Sequence, residues 1–538
     1  MKKIFLTIGL FAFLIMFNAC KKLDLSPIDY FASGNFWKNA SQVDGAMIGL
    51  HSQLRGFQFT FFTLGEMRGG DMKNATGATG TSSLNSVSII DQLLRESSPG
   101  ISGWAGLYGA IFQVNNFIFQ VEKSTFLADS DKSYYLAQAY GLRAFYYFHL
   151  YRTFGRVPLA NEPKVLTNTP TSSDQAYLPR AKTEKETLDF IKSDIEKSVT
   201  DFAGNYGSKG QKSLWSLGAT NMLKAEVYLW SAKVKIDGQA PTNTSSDLAT
   251  ARAALEELIP NYTMQPKFSS VFAYSNKGNS EIIFTLRYAA GEATNNFSQF
   301  IYQASDPMAS FVNAGGGSLV PNRFQADPTK TGDPLNVAGG GAIIRYEYQY
   351  ALFQTYDTAN DTRARTTFFD FYKQPVADNK FVNLVKFIGT IDNGSRSFSD
   401  DVPVYRLAEA YLLLAEVKNK QGEDPSAEIN MVRARAYGGG VFGSNPYPEY
   451  VNGTFEENEL AIFSERGKEL VGEGKRWYDL RRMQDATGDP LAFRKDLPLV
   501  GVLDKVSEAY KLLWPIDRST LTSDETLKDD QNPGYPGT

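Results

Sequence analysis

The chain has a single cysteine, two histidines and no excess of positive charge among its 538 residues. One cysteine, Cys20, cannot form an intrachain disulfide or a multi-cysteine metal site. His51 and His149 are too few for a histidine metal site, and they disfavour catalysis by a histidine general base. The formal net charge of −4 disfavours a nucleic-acid-binding protein, because such proteins carry a basic excess. These absences favour a protein that binds a ligand without transforming it.

What the chain does contain is an ordinary globular composition that is rich in aromatic residues. Hydrophobic residues make up 42% and charged residues 21%, which excludes a disordered chain. The 28 Tyr and 37 Phe predict a large aromatic core or an aromatic binding surface.

The N-terminus has the pattern of a secretion signal. Lys2 and Lys3 precede an apolar run over residues 4–17, which is shorter than the roughly 20 residues that a membrane-spanning helix needs. Ala19 and Cys20 then resemble the cleavage site of a bacterial lipoprotein. We therefore predict a signal peptide over residues 1–19, an acylated Cys20 as the sole membrane anchor, and a polar tether over residues 20–34. The alternative is an ordinary cleaved signal with an incidental cysteine.

Helical periodicity dominates three parts of the chain, at about 41–56, 104–259 and 404–484. In the last part, a stripe that includes Leu407 and Tyr411 is followed by a turn at Asp424 and Pro425 and by a partner helix through Val432. Two helices joined by a short turn match a tetratricopeptide-type unit. The sequence thus predicts a mainly α fold, in which tetratricopeptide-like helical pairs form a scaffold.

Two intervening parts, at about 57–103 and 262–403, lack this periodicity and are rich in Gly, Asn, Ser and aromatic residues. Residues 281–288 and 342–350 have the composition of short strands. Because long irregular segments on a helical scaffold are usually functional, we expect the ligand-binding portions there.

Sequence motifs for catalysis or cofactors are weak. Residues 438–443 fit G-x-G-x-x-G but follow a helix, so they do not predict dinucleotide binding. Asp400 and Asp401 lack the remaining ligands of a calcium site. Trp104 and His149 lie on apolar stripes and are expected in the core. The charged stretch over residues 465–482 is expected to be an exposed helix with ion pairs between successive turns.

Several segments together resemble the SusD/RagB family of outer-membrane nutrient-binding lipoproteins, and the resemblance covers nearly the whole mature chain. The segments that carry it are Cys20-Lys21-Lys22-Leu23-Asp24-Leu25-Ser26-Pro27, Gln138-Ala139-Tyr140-Gly141-Leu142-Arg143-Ala144, Phe154-Gly155-Arg156-Val157-Pro158-Leu159, Arg406-Leu407-Ala408-Glu409-Ala410-Tyr411, the 465–482 stretch and Leu513-Trp514-Pro515-Ile516.

This resemblance implies a single SusD-like domain over residues 35–538, with an α/α superhelical core and irregular binding loops. It implies that the protein lies on the surface of a Gram-negative outer membrane, over a SusC-like, TonB-dependent transporter. It also implies capture of an oligosaccharide or another nutrient, with no cofactor, no metal and no catalysis. A helical-repeat scaffold for protein partners and a surface glycoside hydrolase remain as alternatives.

The resemblance also places polar ligand contacts near residues 66–74, with Asp71 at an acidic position. Aromatic rings and polar side chains together suit sugars, because rings cover C–H faces while polar groups bond hydroxyls. The alternative is that Arg68 and Asp71 only order a loop, with the tyrosines packed beneath it. The candidate ligand-binding residues are Arg68, Asp71, Asn74, Asn296, Phe297, Tyr302, Tyr346, Tyr348 and Tyr350.

Overall fold

The structure is a computed structural model. It describes residues 36–74, 89–101, 104–164, 177–207, 211–301, 335, 337, 345–372, 380–438 and 445–535. Residues 1–35, with the signal peptide, Cys20 and the tether, lie outside the described residues, as does Tyr302. The assignments made for them, and the domain boundaries, stay predictions.

The fold is mainly helical, as the sequence predicts. Within the described ranges the helices are α1 Ala40–Gly56, α2 Gln58–Gly65, α3 Ala105–Lys123, α4 Asp129–Phe154, α5 Glu184–Phe202, α6 Leu217–Lys233, α7 Thr244–Leu258, α8 Phe268–Phe272, α9 Tyr350–Gln354, α10 Arg363–Thr367, α11 Leu407–Gln421, α12 Ser426–Tyr437, α13 Phe455–Glu469, α14 Arg476–Arg482 and α15 Arg518–Ser523.

The long helices pack on one another in chain order. α3 packs on α4, α4 on α5, α5 on α6 and α6 on α7; α7 then contacts α11, which packs on α12 and α13. A close approach at Gly141 in α4 helps to bring these layers together, since a Cβ there would lie 2.0 Å from Nε1 of Trp215. This sequential packing confirms the predicted scaffold of helical pairs.

Side-chain caps and glycines define where the scaffold helices begin and end. The hydroxyl of Thr183 accepts the backbone N–H of Glu186 at the start of α5, and Ser216 begins α6 in the same way. Thr454 and Glu457 form a reciprocal capping box on α13. Gly155 ends α4 with φ of 70°, a left-handed conformation that glycine adopts without a Cβ clash.

Short strands connect the irregular parts of the chain. They are β1 Met72–Asn74, β2 Ile282–Leu286, β3 Tyr346–Tyr348, β4 Phe368–Tyr372, β5 Lys380–Leu384, β6 Thr390–Asp392, β7 Ser395–Ser397 and β8 Val402–Arg406. An antiparallel four-stranded sheet has the order β1-β3-β5-β4; β2 pairs with β8, and β6 with β7. Because β1 pairs with β3, Asn74 lies opposite Tyr346 and Met72 opposite Tyr348. The two loop-rich parts of the chain therefore meet in one sheet.

The charged stretch over residues 465–482 is buried, so the expectation of an exposed helix is wrong. Glu469 is 0% exposed and pairs with Arg406 and Arg435. Arg482 is 1% exposed and lies 2.8 Å from Glu416. These partners are distant in sequence and come from other segments of the fold, although Arg482 also pairs with Asp479 of its own helix. Local charge spacing cannot reveal such pairing.

Residues 58–65 form helix α2, although the irregular part was expected to begin at residue 57. The helix forms because Phe61 and Phe62 bury their rings, with Phe61 5.3 Å from the ring of Phe145 in α4. Trp104 and His149 lie in the core, as predicted, with exposures of 6% and 5%.

Candidate ligand-binding site

Arg68 is buried and bonded to protein atoms. Its Nε donates to Oε1 of Gln92 at 2.7 Å, and its Nη2 donates to the carbonyl of Lys511 at 2.6 Å. The guanidinium also stacks over the ring of Trp477 at 4.0 Å. Burial lowers the pKa of Arg68 to about 9. In this structure Arg68 therefore orders the segment after α2.

Asp71 is equally buried and faces Arg476, with Oδ2 and Nε 3.1 Å apart. Its neighbour Glu66 accepts three hydrogen bonds, from the hydroxyl of Tyr348 at 2.9 Å and from the N–H groups of Gly472 and Lys475. Burial, with the nearby charge of Asp71, raises the pKa of Glu66 to about 7. Asp71 and Tyr348, both candidates from the sequence, thus belong to one buried polar cluster beneath the β1–β3 pair.

The other candidates divide between core and surface. Phe297 is 1% exposed and stacks on Phe387 at 4.5 Å. Asn296 is exposed, and its backbone N–H donates to Gln58 at 3.3 Å. Tyr350 is half-buried, with its ring 5.6 Å from that of Phe353. For Asn74, the structure describes the backbone, which lies at the end of β1 and opposite Tyr346. The assignment of these residues to ligand contact stays a prediction.

Tyr346 lies at an open cleft. Its half-buried ring is 5.4 Å from the ring of Phe59 and 5.5 Å from that of Phe300. Phe59 in turn stacks on Phe62, with ring centroids 5.7 Å apart and an interplanar angle of 19°. Burial raises the pKa of the Tyr346 hydroxyl, so it stays protonated and can donate a hydrogen bond at neutral pH.

The cleft has a volume of about 540 Å³ and lies between α2, the residues around the start of α3, and β3. We call it the aromatic cleft and define it by Phe57, Phe59, Thr60, Thr63, Ile101 and Tyr346.

Uncharged groups form the wall of the aromatic cleft. No Lys, Arg, Asp or Glu is among the lining residues that the structure describes. The Thr63 hydroxyl donates to the carbonyl of Phe59 at 2.8 Å and keeps its acceptor lone pairs. Half-buried rings beside hydroxyl groups can cover the C–H face of a sugar and bond its hydroxyls. The arrangement therefore suits a neutral, polyhydroxylated ligand.

Of the residues that line the aromatic cleft, the sequence analysis named Tyr346 as a candidate and did not name Phe57, Phe59, Thr60 or Thr63. The missed residues lie in the run Phe57-Gln58-Phe59-Thr60-Phe61-Phe62-Thr63, which is denser in aromatic residues than one helix face can bury. Phe61 and Phe62 take the buried face of α2, and Phe57 and Phe59 remain half-buried. The density of aromatic residues in this run is the sequence feature that could have pointed to these residues.

The histidines are both buried and held by the fold. Nδ1 of His51 lies 2.9 Å from the carbonyl of Met47, and its Nε2 accepts the N–H of Trp215 at 2.8 Å. Burial lowers the pKa of His51 to about 4 and that of His149 well below its usual value.

Over the described residues, no group of three or more His, Cys, Asp and Glu could hold a metal ion. None of the helices in that part of the chain has the length and hydrophobicity that a membrane crossing requires.

Comparison with known proteins identifies the family. A solved SusD superfamily protein from Bacteroides fragilis NCTC 9343 is 37% identical, with a TM-score of 0.80, over 93% of this chain and 100% of that one. The chain belongs to the SusD family.

Further matches agree with this membership. The family model described as the SusD family matches residues 377–535, and a second, described as starch-binding associating with outer membrane, matches residues 64–229. The solved NanU of B. fragilis is 32% identical, with a TM-score of 0.77, over 95% of this SusD-family chain and all of NanU. The SusD-like protein P38 of Formosa agariphila is 26% identical over 96% of each chain.

Proposed function

We propose that this SusD-family protein is a cell-surface lipoprotein that captures an oligosaccharide in the aromatic cleft and delivers it to a SusC-like, TonB-dependent transporter in the outer membrane. The observation that carries the proposal is the pair of half-buried rings, Phe59 and Tyr346, which lie 5.4 Å apart in a cleft whose described lining residues are uncharged. The description of the model that matches residues 64–229, starch-binding associating with outer membrane, supports both the ligand class and the location.

The anchor and the direction of transport rest on the sequence. A short apolar run that ends at the single cysteine supports a lipid anchor at Cys20, and family membership supports a transporter partner. The burial of both histidines, with lowered pKa values, supports a binding protein rather than a hydrolase that uses them as bases.

Calorimetric titration of a panel of oligosaccharides that includes maltoheptaose tests the proposal. Phe59→Ala and Tyr346→Ala each remove a ring that can stack on a sugar, at a cost of about 0.5–1.5 kcal/mol beyond lost burial. We expect affinity to fall by up to about tenfold in each variant. Phe126→Ala is the matched control, because Phe126 is 39% exposed and does not line the cleft.

Each competing function predicts a different result. Unchanged affinity in both cleft variants would place the glycan elsewhere. Failure to bind any oligosaccharide, together with tight binding of a protein partner, would favour a helical-repeat scaffold. Release of shorter sugars at enzyme-like rates would favour a glycoside hydrolase.

A further inference from the structure

A second cavity, of about 750 Å³, is lined by residues of the helical scaffold and of the C-terminal part of the chain. We call it the C-terminal cavity. Its lining includes Tyr151 of α4 and Trp230 of α6, together with Phe493, Tyr510 and Leu513 from the C-terminal part of the chain. Among the described residues, it shares no lining residue with the aromatic cleft. Its volume lies within the range of about 300–1,000 Å³ that is typical of small-molecule sites.

Arg481 of α14 lines this cavity and is only 7% exposed. Its Nη1 donates to the carbonyl of Arg152, but its Nε has no hydrogen-bond partner among the described residues. Within that part of the chain, no carboxylate lies within 4.0 Å of the Arg481 guanidinium. Its guanidinium instead lies over the ring of Trp230, 5.0 Å from the centroid. Burial lowers the pKa of Arg481 to about 10, so it is still a cation at neutral pH.

The other buried or paired cations of the wall already have anionic partners. Asp530 contacts both Arg156 and Arg180, Glu416 and Glu459 contact Lys233, and Asp489 contacts Lys505; Lys235 is exposed.

Three carboxylates line the C-terminal cavity: Asp489, which pairs with Lys505, and Glu184 and Asp237, which are bonded to backbone groups. Glu184 accepts the N–H of Asp237 at 2.9 Å, and Asp237 accepts the N–H of Glu184 at 2.7 Å. Burial raises the pKa of Glu184, whereas the charges of Arg481 and Arg180, which it does not contact, lower it. Among the described residues that line this cavity, Arg481 is therefore the buried cation without a counter-ion in contact, and such a group is costly unless an anion compensates it.

We propose that the C-terminal cavity binds a small organic carboxylate, with the carboxylate on Arg481 and the body of the ligand against the accessible rings of Phe493 and Tyr510. A guanidinium bonds a carboxylate through two parallel N–H groups, and aromatic rings cover either a sugar face or an aromatic ring. An acidic sugar and an aromatic acid share this chemistry. The site is separate from the aromatic cleft, and its ligand is independent of the glycan proposed there.

The test uses the full chain with two probes, glucuronate and phenylacetate, each compared with its neutral amide by calorimetric titration. We expect at least one carboxylate to bind. The affinity of its amide should be lower by a factor of about ten or more, because the amide loses the charge-assisted hydrogen bonds. Arg481→Met should lower the affinity for the carboxylate by the same factor. Ala509→Trp places a bulky ring at an exposed position of the cavity wall and should also abolish binding.

Two controls separate this site from other effects. Arg252→Met removes a surface arginine that pairs with Glu256 and does not line the cavity, so affinity should stay unchanged. Gly106→Leu, in the aromatic cleft, should also leave carboxylate binding unchanged. Binding of glucuronate alone identifies an acidic sugar, and binding of phenylacetate alone identifies an aromatic acid.

The proposal is overturned if neither carboxylate binds, if acid and amide bind equally, or if Ala509→Trp leaves affinity unchanged. If Arg481→Met does not fold, the amide comparison and Ala509→Trp decide the outcome.

Discussion

Asp71 and Arg476 lie 3.1 Å apart although they are separated by some four hundred positions in the sequence, and both side chains are more than nine-tenths buried. Arg476 also donates to the carbonyls of Gly69 and Leu499. The pair thus joins the segment after α2 to α14 and the chain beyond it. Asp71 therefore connects two parts of the protein, and its contact with a ligand stays a prediction.

We expect Asp71→Ala to lower the free energy of unfolding by about 3 kcal/mol, because it leaves the buried Arg476 without its anion. Urea denaturation checks this. Asp189→Ala is the control, since its pair with Lys185 is more than half exposed and should contribute less than about 1 kcal/mol. Full stability of Asp71→Ala combined with loss of glycan binding would contradict this structural role and support ligand contact.

The stability of the protein should depend on pH through Glu66. Its pKa is about 7 in the folded state and about 4.5 in a model peptide, so the folded state binds a proton more tightly. Its stabilising contribution is therefore complete below about pH 4.5 and is lost as the pH rises through 7. We expect the decline in unfolding free energy between pH 5 and pH 8 to become shallower in Glu66→Gln. Identical pH profiles for the two proteins would contradict this.

Gly106 offers a way to close the aromatic cleft without disturbing the core. It is exposed on α3, and a Cβ there would lie 3.3 Å from Cε1 of Phe57. We expect Gly106→Leu to weaken glycan binding by about tenfold or more, the change that about 1.4 kcal/mol produces. The fold should be retained, because leucine is a better helix former than glycine.

Gly109→Leu is the matched control for Gly106→Leu. Gly109 is exposed on the same helix, and a Cβ there has no neighbour within 4 Å. The affinity of Gly109→Leu for glycan should equal that of the unchanged protein. Equal affinity in both variants would show that the glycan does not use this cleft.

Cys20→Ala should release the protein from the membrane or leave it unprocessed, because the chain has no other cysteine to acylate. Membrane fractionation and labelling with a fatty-acid analogue check this in cells. Retention in the membrane with unchanged acyl labelling would exclude Cys20 as the anchor.

Much of the scaffold could be predicted because its helices carry their own local determinants. Apolar stripes at helical spacing predicted α3 to α7 and α11, and Thr183 and Gly155 mark helix ends through local backbone chemistry. The site was harder to predict. Tyr348 and Phe297 are of residue types that often bind ligands. In the structure they contact Glu66 and Phe387, which come from distant segments, and sequence spacing does not reveal such contacts.

The sequence by itself determined a mainly helical chain, the positions of its long helices and its membership of the SusD family, because these depend on local periodicity and on motifs that lie within short segments. Only the tertiary structure decided which side chains remain open. Long-range contacts buried Arg68, Asp71 and the charged residues of α13 and α14, left Phe59 and Tyr346 at a cleft, and left Arg481 without a counter-ion in contact. Exposure depends on which segments pack together, and that pairing is a property of the whole fold.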